Sequence, residues 1–460
     1  MLIAAKPITD SEKLTKGYSF PKTKLSCSII LLLLFIFSLS DAQVLKDTVK
    51  IMTYNVLNYG FPATSSCPGL ITANKDQYLK TILRYENPDI LGLVKMDASP
   101  SSFTTNAIVH NVLDSVCLGC YGHSQFTNVS GYTKENMLYF KTAKFGFVST
   151  TVIYSADANI SDISLHTLFY KDQNLAVTHD TVFIHVVLVH DKSGSSNASN
   201  RAAEIGGAMT WLNSHVSAPG NYFFMGDFNV QSSTEACFQD MINSSNVNTK
   251  FYDPVNQLGN WANNPAAFAD YLTEDTRMTD PGDCGASGGI STRFVHILCT
   301  QPVMQGLNSV AYVPGSYKVI GQDGNHTNLG LTDAPVNTSV PSPVLNALFS
   351  MSNHLPVCLK LAVTKSNTTD AASVSSRKIN FTIFPNPSSR LIHIKGESLP
   401  DEVYKIILRD ESGKIAAQNE YKTVNNSADW LFNTAGLGGG VFFMEIVSKN
   451  EHQIFKVGLY

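Results

Sequence analysis

The chain has 460 residues, 43% hydrophobic, 15% charged and 10% aromatic, which allows two to four domains at ~100–200 residues each and excludes wholesale disorder. Thirty-three basic against 37 acidic residues leave a formal charge of −4. No overall basic excess draws the chain to nucleic acid, so any such binding needs a local patch.

The N-terminus reads as an export signal. Ile29 to Phe37 is an uninterrupted apolar run, five lysines (Lys6, Lys13, Lys16, Lys22, Lys24) precede it, and Ser40-Asp-Ala42 offers small residues before Gln43 as the mature start. The run falls short of the ~20 residues that a membrane span needs. Eight cysteines include Cys27 in this leader, so the mature chain keeps seven, an odd number in an oxidising compartment. Cys117-Leu-Gly-Cys120 has redox-motif spacing without the matching βαβ setting, which leaves a local disulfide or two plain thiols. No second pair stands at zinc-ligand spacing.

Strands and helices alternate through the next three hundred residues. Val49 to Val56 is a predicted strand, Asn74 to Tyr85 a helix, and Ile90 to Val94 a strand after the turn at Pro88-Asp89. Thr181 to His190 is a long β-branched strand. A helix follows from near Ser199, with Ala202, Ile205, Met209, Leu212 and Val216 at helical spacing, and Tyr222 to Met225 is a buried strand running into Gly226-Asp-Phe-Asn229. This alternation predicts a layered α/β domain. Thr364 to Lys378 is rich in Ser, Thr and Asn and reads as a linker. Beyond it lie only short strands: Ile379 to Phe384, Leu391 to Lys395, Val403 to Arg409, Lys414 to Tyr421, Val441 to Val447 and Gln453 to Val457, with Ser412-Gly413 as a hairpin turn. Their even spacing predicts a small all-β sandwich.

Polar residues stand where predicted strands end. Asn55 closes the first strand, His190 the long one, Asp227 and Asn229 the next, and Asn353-His354 stand just before a strand at Leu355 to Leu361. A rigid sheet holds such groups within the tolerance that catalysis needs. Asp and Asn oxygens suit a hard cation such as Mg²⁺, and two imidazoles can move protons or donate to a phosphate.

Six stretches come in a telling order: Ile51-Met-Thr-Tyr-Asn55, Pro88-Asp-Ile-Leu-Gly-Leu93, Val189-His-Asp-Lys-Ser-Gly194, Gly226-Asp-Phe-Asn229, Thr292-Arg-Phe-Val-His-Ile-Leu298 and Ser352-Asn-His-Leu-Pro356. Over about positions 48 to 362 the chain resembles the endonuclease/exonuclease/phosphatase superfamily, whose fold is the deoxyribonuclease-I-like four-layer α/β sandwich. Gly321-Gln-Asp-Gly-Asn-His326 resembles its bacterial secreted branch. The resemblance implies Mg²⁺-dependent hydrolysis of a phosphoester. Asp227 and Asn229 then handle the nucleophilic water, the metal and the phosphate, Asn55 supports the site, His190 lies on the phosphate side, and His354 is general base or phosphate ligand. A phosphate-containing ligand, nucleic acid among the options, is the implied partner.

The departures from that pattern decide the expectation. Val94-Lys95 stands where the family has Gln-Glu, Val295 where it has the Asp that orients the histidine, and Asn353 where it has Asp. Exchanging a carboxylate for Lys95 reverses a term of roughly 4 kcal/mol for unit charges ~4 Å apart at an effective dielectric of 20. Val295 cannot set the tautomer of His354. The expectation is a degenerate, impaired hydrolase site whose Mg²⁺ binding is doubtful, with a phosphate-sized pocket built from Asn55, Lys95, His190, Asn229 and His354. The alternative is an active Mg²⁺-dependent enzyme with rearranged ligands, Asp97 or Asp191 being the nearby acids.

The end of the chain has its own likeness. Phe384-Pro-Asn-Pro387, Asp410-Glu-Ser-Gly-Lys414 and Leu437-Gly-Gly-Gly-Val-Phe-Phe-Met444 resemble the type IX secretion sorting domain of Bacteroidota. That implies passage through the periplasm and outer membrane to the cell surface or outside, with the type IX machinery as partner. The expected layout is a signal peptide at 1–42, the phosphoesterase-like domain at 43–363, a linker at 364–378 and the sorting β-sandwich at 379–460.

Overall fold

The structure, a computed structural model, describes residues 46–99, 108–156, 159–365, 381–397, 399, 401–410, 414–423, 426–448 and 452–460. The leader at 1–42, most of the expected linker and the Ser412-Gly413 turn lie outside them. The chain divides into two units, Met1–Thr368 and Thr369–Tyr460.

In the first unit, strand β1 (Lys46–Tyr59) is buried almost continuously from Ile51 onward, because it lies mid-sheet with other layers on both faces. Helix α1 (Thr72–Glu86) buries Leu79, Ile82 and Leu83 and ends at Asn87, whose left-handed backbone (φ 48°) turns its N–H onto Leu83 O at 2.8 Å. It leads into β2 (Ile90–Asp97), which runs parallel to β1. Strands β3 (Tyr121–His123) and β4 (Lys134–Lys141) extend this sheet on one side. On the other side it is completed by β11 (Val310–Tyr312), β12 (Lys318–Val319) and β13 (Val357–Thr364), giving the order β11-β13-β1-β2-β4-β3 with β12 also on β13.

The second sheet has the order β5-β6-β7-β8-β10-β9. Its strands are β5 (Phe145–Tyr154), β6 (Ile163–Tyr170), β7 (Phe183–His190), β8 (Tyr222–Asp227), β9 (Phe251–Tyr252) and β10 (Val295–Thr300). Helix α2 (Ala198–His215) links the parallel pair β7 and β8, as α1 links β1 and β2. Helices α1 and α4 (Ser342–Met351) cover the outer face of the first sheet, and α2 with α3 (Ala236–Ile242) covers the second. The sheets face each other through one core that mixes Ile51, Leu93 and Met137 with Leu188, Met225 and Ile297. Gly92 marks their closest approach: a Cβ there would come within 2.6 Å of Leu188 Cδ1 and 2.7 Å of Met225 Cε. This is the four-layer sandwich that the motif order implied.

Strands β4, β5 and β6 have no counterpart among the elements read from the sequence. Cys67–Cys284 joins the loop after β1 to the loop before β10, and Cys117–Cys120 forms the local bridge. Cys237, Cys299 and Cys358 remain as buried thiols. Among the described residues no helix is long and apolar enough to cross a membrane.

The second unit is two small sheets, β14-β15-β18 and β17-β16-β19-β20. Their strands are β14 (Phe381–Phe384), β15 (Leu391–Glu397), β16 (Val403–Asp410), β17 (Ile415–Lys422), β18 (Ser427–Asn433), β19 (Gly440–Val447) and β20 (His452–Leu459). Strand β18 is not among the strands read from the sequence; it alternates cleanly and places Trp430 in the core beside Tyr404 and Phe381. Asn386 of the Phe-Pro-Asn-Pro stretch ties the unit's beginning to its end. Its amide donates to Lys456 O at 2.8 Å and its Oδ1 accepts from Gly458 N at 2.9 Å.

Candidate functional site

The strand ends meet at one rim. His190 closes β7 and Asp227 closes β8, directly paired in parallel register, and Val295 faces Asp227 from β10. Asn55, fully buried on β1, reaches across from the other sheet: its amide donates to Asp227 Oδ2 at 2.7 Å, while its Oδ1 accepts from Leu57 N at 2.9 Å. Asp227 Oδ1 accepts from Asn229 N at 3.0 Å, and Asn229 Nδ2 donates to Asp191 O at 2.9 Å. The Gly226-Asp-Phe-Asn229 turn needs its glycine, since at φ 139° a Cβ would stand 2.0 Å from Val189 O. Asn229 tolerates φ 50° for the reason Asn does elsewhere, a short polar side chain with a local partner.

Both histidines face the same carboxylate. His354 Nε2 lies 3.5 Å and His190 Nε2 3.9 Å from Asp227 Oδ2. Burial brings the His190 pKa down to about 3, Asp227 opposing and Lys95 and Lys134 adding to the fall. Burial, then Lys95 and Arg277, hold His354 well below the usual imidazole range. Both rings are therefore neutral at pH 7. Among the described residues the Nδ1 of His354 is buried without a hydrogen-bond partner, and the Val295 side chain offers none. Such an orphan costs about 1–3 kcal/mol.

Two acids in this site have no place in the sequence reading. Glu274 Oε1 lies 3.2 Å from His354 Nε2, and Asn353 Nδ2 donates to that same Glu274 oxygen at 2.5 Å and to Asp275 Oδ1 at 3.1 Å. Short backbone bridges to Thr292 and His354 hold Glu274 in place. Burial first, then the charges of Asp275 and Asp227, push Glu274 well above the carboxylate range; burial also raises Asp275. The acids named as alternatives are elsewhere engaged. Asp97 Oδ1 accepts from Ser99 N at 3.2 Å, and Asp191 is buried beside Glu204, burial and that neighbour pushing it well above the carboxylate range. Glu274-Asp275 sits in an irregular loop, so no periodicity flags it; the adjacent acids followed by Arg277 are the signal the sequence offered.

Lys95 sits in a bulge. Pairing of β1 with β2 skips from Asn55–Val94 to Tyr59–Met96, and Lys95 takes φ 64° beside Leu57 at 40° and Asn58 at 56°. Bulges next to functional sites re-aim side chains in this way. Lys95 and His190 line a cavity of about 250 Å³ together with Lys134, Lys192, Tyr132 and Asn159. Asn55, Asn229 and His354 are buried and do not line that cavity. The five-residue pocket expected from the sequence is thus divided into an outer cavity and an inner hydrogen-bonded network. A larger cavity of about 610 Å³ lies at the opposite end of β7, around Phe183, and holds none of these residues.

Two further motif residues are structural. Arg293 is fully buried and grips Asp253 through both Nη atoms at 2.8 and 2.9 Å. His326 bridges Asp323 Oδ1 at 2.8 Å and Asp333 O at 3.1 Å.

The acids of the site are already engaged by protein donors and a nearby cation. Each oxygen of Asp227 accepts one protein donor, Glu274 Oε1 accepts the Asn353 amide, and Lys95 adds positive charge that acts on Glu274 and Asp275. Among the described residues no group of three or more His, Cys, Asp or Glu side chains is arranged to hold a metal ion.

Residues 382–458 match the secretion system C-terminal sorting domain family. The chain is similar to several solved structures. One is an endonuclease/exonuclease/phosphatase family protein from Bacteroides thetaiotaomicron, 14% identical over 69% of this chain and 99% of that chain, with a TM-score of 0.40. Another is the endonuclease/exonuclease/phosphatase from Bacteroides vulgatus, 13% identical over 69% and 100%, with a TM-score of 0.41. A third is the human Nocturnin catalytic domain with bound sulfate, 13% identical over 69% and 98%, with a TM-score of 0.41. No curated protein matches the chain. By its strand order the first unit is a four-layer α/β sandwich, and the chain's terminal segment matches a sorting domain. That domain marks it for type IX secretion to the cell surface or outside.

Proposed function

We propose that the first unit is an endonuclease/exonuclease/phosphatase superfamily protein that has lost efficient metal-dependent hydrolysis and binds a phosphate-bearing ligand outside the cell. The observation that carries this reading is Lys95, a cation at the family's glutamate position, lining the cavity beside His190. An ammonium supplies at a fixed point the positive charge that a phosphoryl oxygen seeks. His190 can donate to the same oxygen, while Asp227 is committed to holding Asn55 and Asn229 in place. Loss of the group that orients a catalytic histidine costs ~10⁴ in kcat in a Ser-His-Asp triad, and here the metal-side carboxylate is absent as well.

One observation favours a second reading, an active Mg²⁺-dependent phosphodiesterase with rearranged ligands. Glu274 and Asp275 bring two carboxyl groups to the side of the site where Asn353 replaces an acid. The two readings part in one assay. Mature protein and a variant carrying Lys95→Glu, Val295→Asp and Asn353→Asp are each given plasmid DNA and a chromogenic phosphodiester with Mg²⁺. The first reading predicts cleavage by the variant alone. Comparable metal-dependent cleavage by the natural chain supports the second and defeats the first.

A further inference from the structure

Three lysines from three strand ends share the outer cavity. Lys95 lies in the β2 bulge, Lys134 opens β4, and Lys192 follows the end of β7. Among the described residues none of them has an ion-pair partner; Lys134 Nζ instead lies 5.9 Å from the Tyr132 ring centroid. They are close enough to act on one another: burial, then the charges of Lys95 and Lys192, pull the Lys134 ammonium down to about 8. The acid on the cavity wall, Asp191, is buried and makes no ion pair with these lysines among the described residues. Unpaired like charges gathered in a concave site are unfavourable alone and are relieved by an anion.

The charge and size of the cavity narrow the anion. A single phosphomonoester brings about −1.5 to −2 at neutral pH, which leaves one of three cations unmatched. A volume of about 250 Å³ lies below the ~300 Å³ at which pockets begin to enclose a whole small molecule. It nevertheless equals the share of about eight waters at ~30 Å³ each, room for two linked tetrahedral groups. We propose that this cavity binds two adjacent phosphoryl groups, as in a nucleoside diphosphate or another pyrophosphate ester, with Lys95, Lys134 and Lys192 as the charge-matching residues and the remainder of the ligand outside. The proposal rests on the phosphate-binding reading above and names its ligand class.

Calorimetric titration of the full mature chain at constant ionic strength tests it, with inorganic pyrophosphate, orthophosphate and ADP as probes. Pyrophosphate and ADP should each bind at least about tenfold more tightly than orthophosphate, a step of ~1.4 kcal/mol. Lys134→Gln and Lys192→Gln should each remove most of that preference, while Lys422→Gln in the second unit leaves it intact. Unchanged thermal midpoints would show that the variants are folded. Pyrophosphate binding without a preference for ADP over orthophosphate would support the diphosphate site but confine it to the inorganic ion. Equal affinity for pyrophosphate and orthophosphate, lost in Lys95→Gln, overturns the diphosphate assignment and leaves phosphate binding standing. No binding of any probe overturns both.

Discussion

The rim at which the strands end has two parts of different kinds. At the end of the second sheet Asp227 is closed into a network with Asn55 and Asn229 and faced by two neutral histidines. Beside it, Lys95 and Lys134 of the first sheet and Lys192 after β7 of the second line a cavity without ion-pair partners among the described residues. Both parts are built by the same device, a parallel strand pair joined by a helix. The difference teaches that neighbouring strand ends can spend their polar groups on internal hydrogen bonds in one place and present cations to a cavity in the next.

The largest expected effect separates the two parts directly. Asp227→Ala strands the Asn55 amide and the Asn229 N–H in the interior, and should lower stability by about 3 kcal/mol in denaturant melts. Lys95→Ala, removing a cation with no ion pair among the described residues, should change stability by less than about 0.5 kcal/mol. Equal losses would erase the distinction between a structural part and a binding part.

A smaller effect comes from protons on the second sheet. His190, brought to about 3 from 6.5, binds fewer protons folded than unfolded across that window. Its stabilising contribution is complete above pH 6.5 and is lost as the pH falls. About 2 kcal/mol should go between pH 6.5 and 5, and His190→Asn should shallow the acid limb of a stability–pH curve. An unchanged limb would show that the ring is not held neutral.

The first sheet should show the opposite sign. Burial, then Asp162, raises Glu135 to about 9 from 4.5, so the folded state binds more protons between those values. Stability is then lost as the pH rises through the window. Glu135→Gln keeps the acceptor that takes Asp162 N at 3.1 Å and should recover about 1–2 kcal/mol at pH 9. Identical alkaline melts for the two proteins would contradict this.

Much of this was legible in the sequence, for physical reasons. The strand, helix, strand rhythm around Asn55 and around His190 to Asp227 follows from burial on both faces, and the ordered blocks implied the sandwich. Lys95, Val295 and Asn353 stood out because they fall inside the ordered motif stretches. Glu274 and Asp275 could not, since an irregular loop carries no period and only tertiary bridges to Thr292 and His354 bring them in. Lys134 and Lys192 were likewise invisible as a pair: they lie 58 positions apart, at strand ends of different sheets. The division of the pocket into an outer cavity and a buried network depends on which side chains spend their hydrogen bonds internally, which spacing alone does not encode.

The most direct test of the central claim, that a lysine has taken the place of a divalent cation, is calorimetric titration of Mg²⁺ into the mature protein and into Lys95→Glu. The account predicts no saturable heat with the natural chain at millimolar Mg²⁺ and a measurable site in the variant. Saturable binding by the natural chain, abolished by Glu274→Gln, would contradict it and make Glu274 a metal ligand.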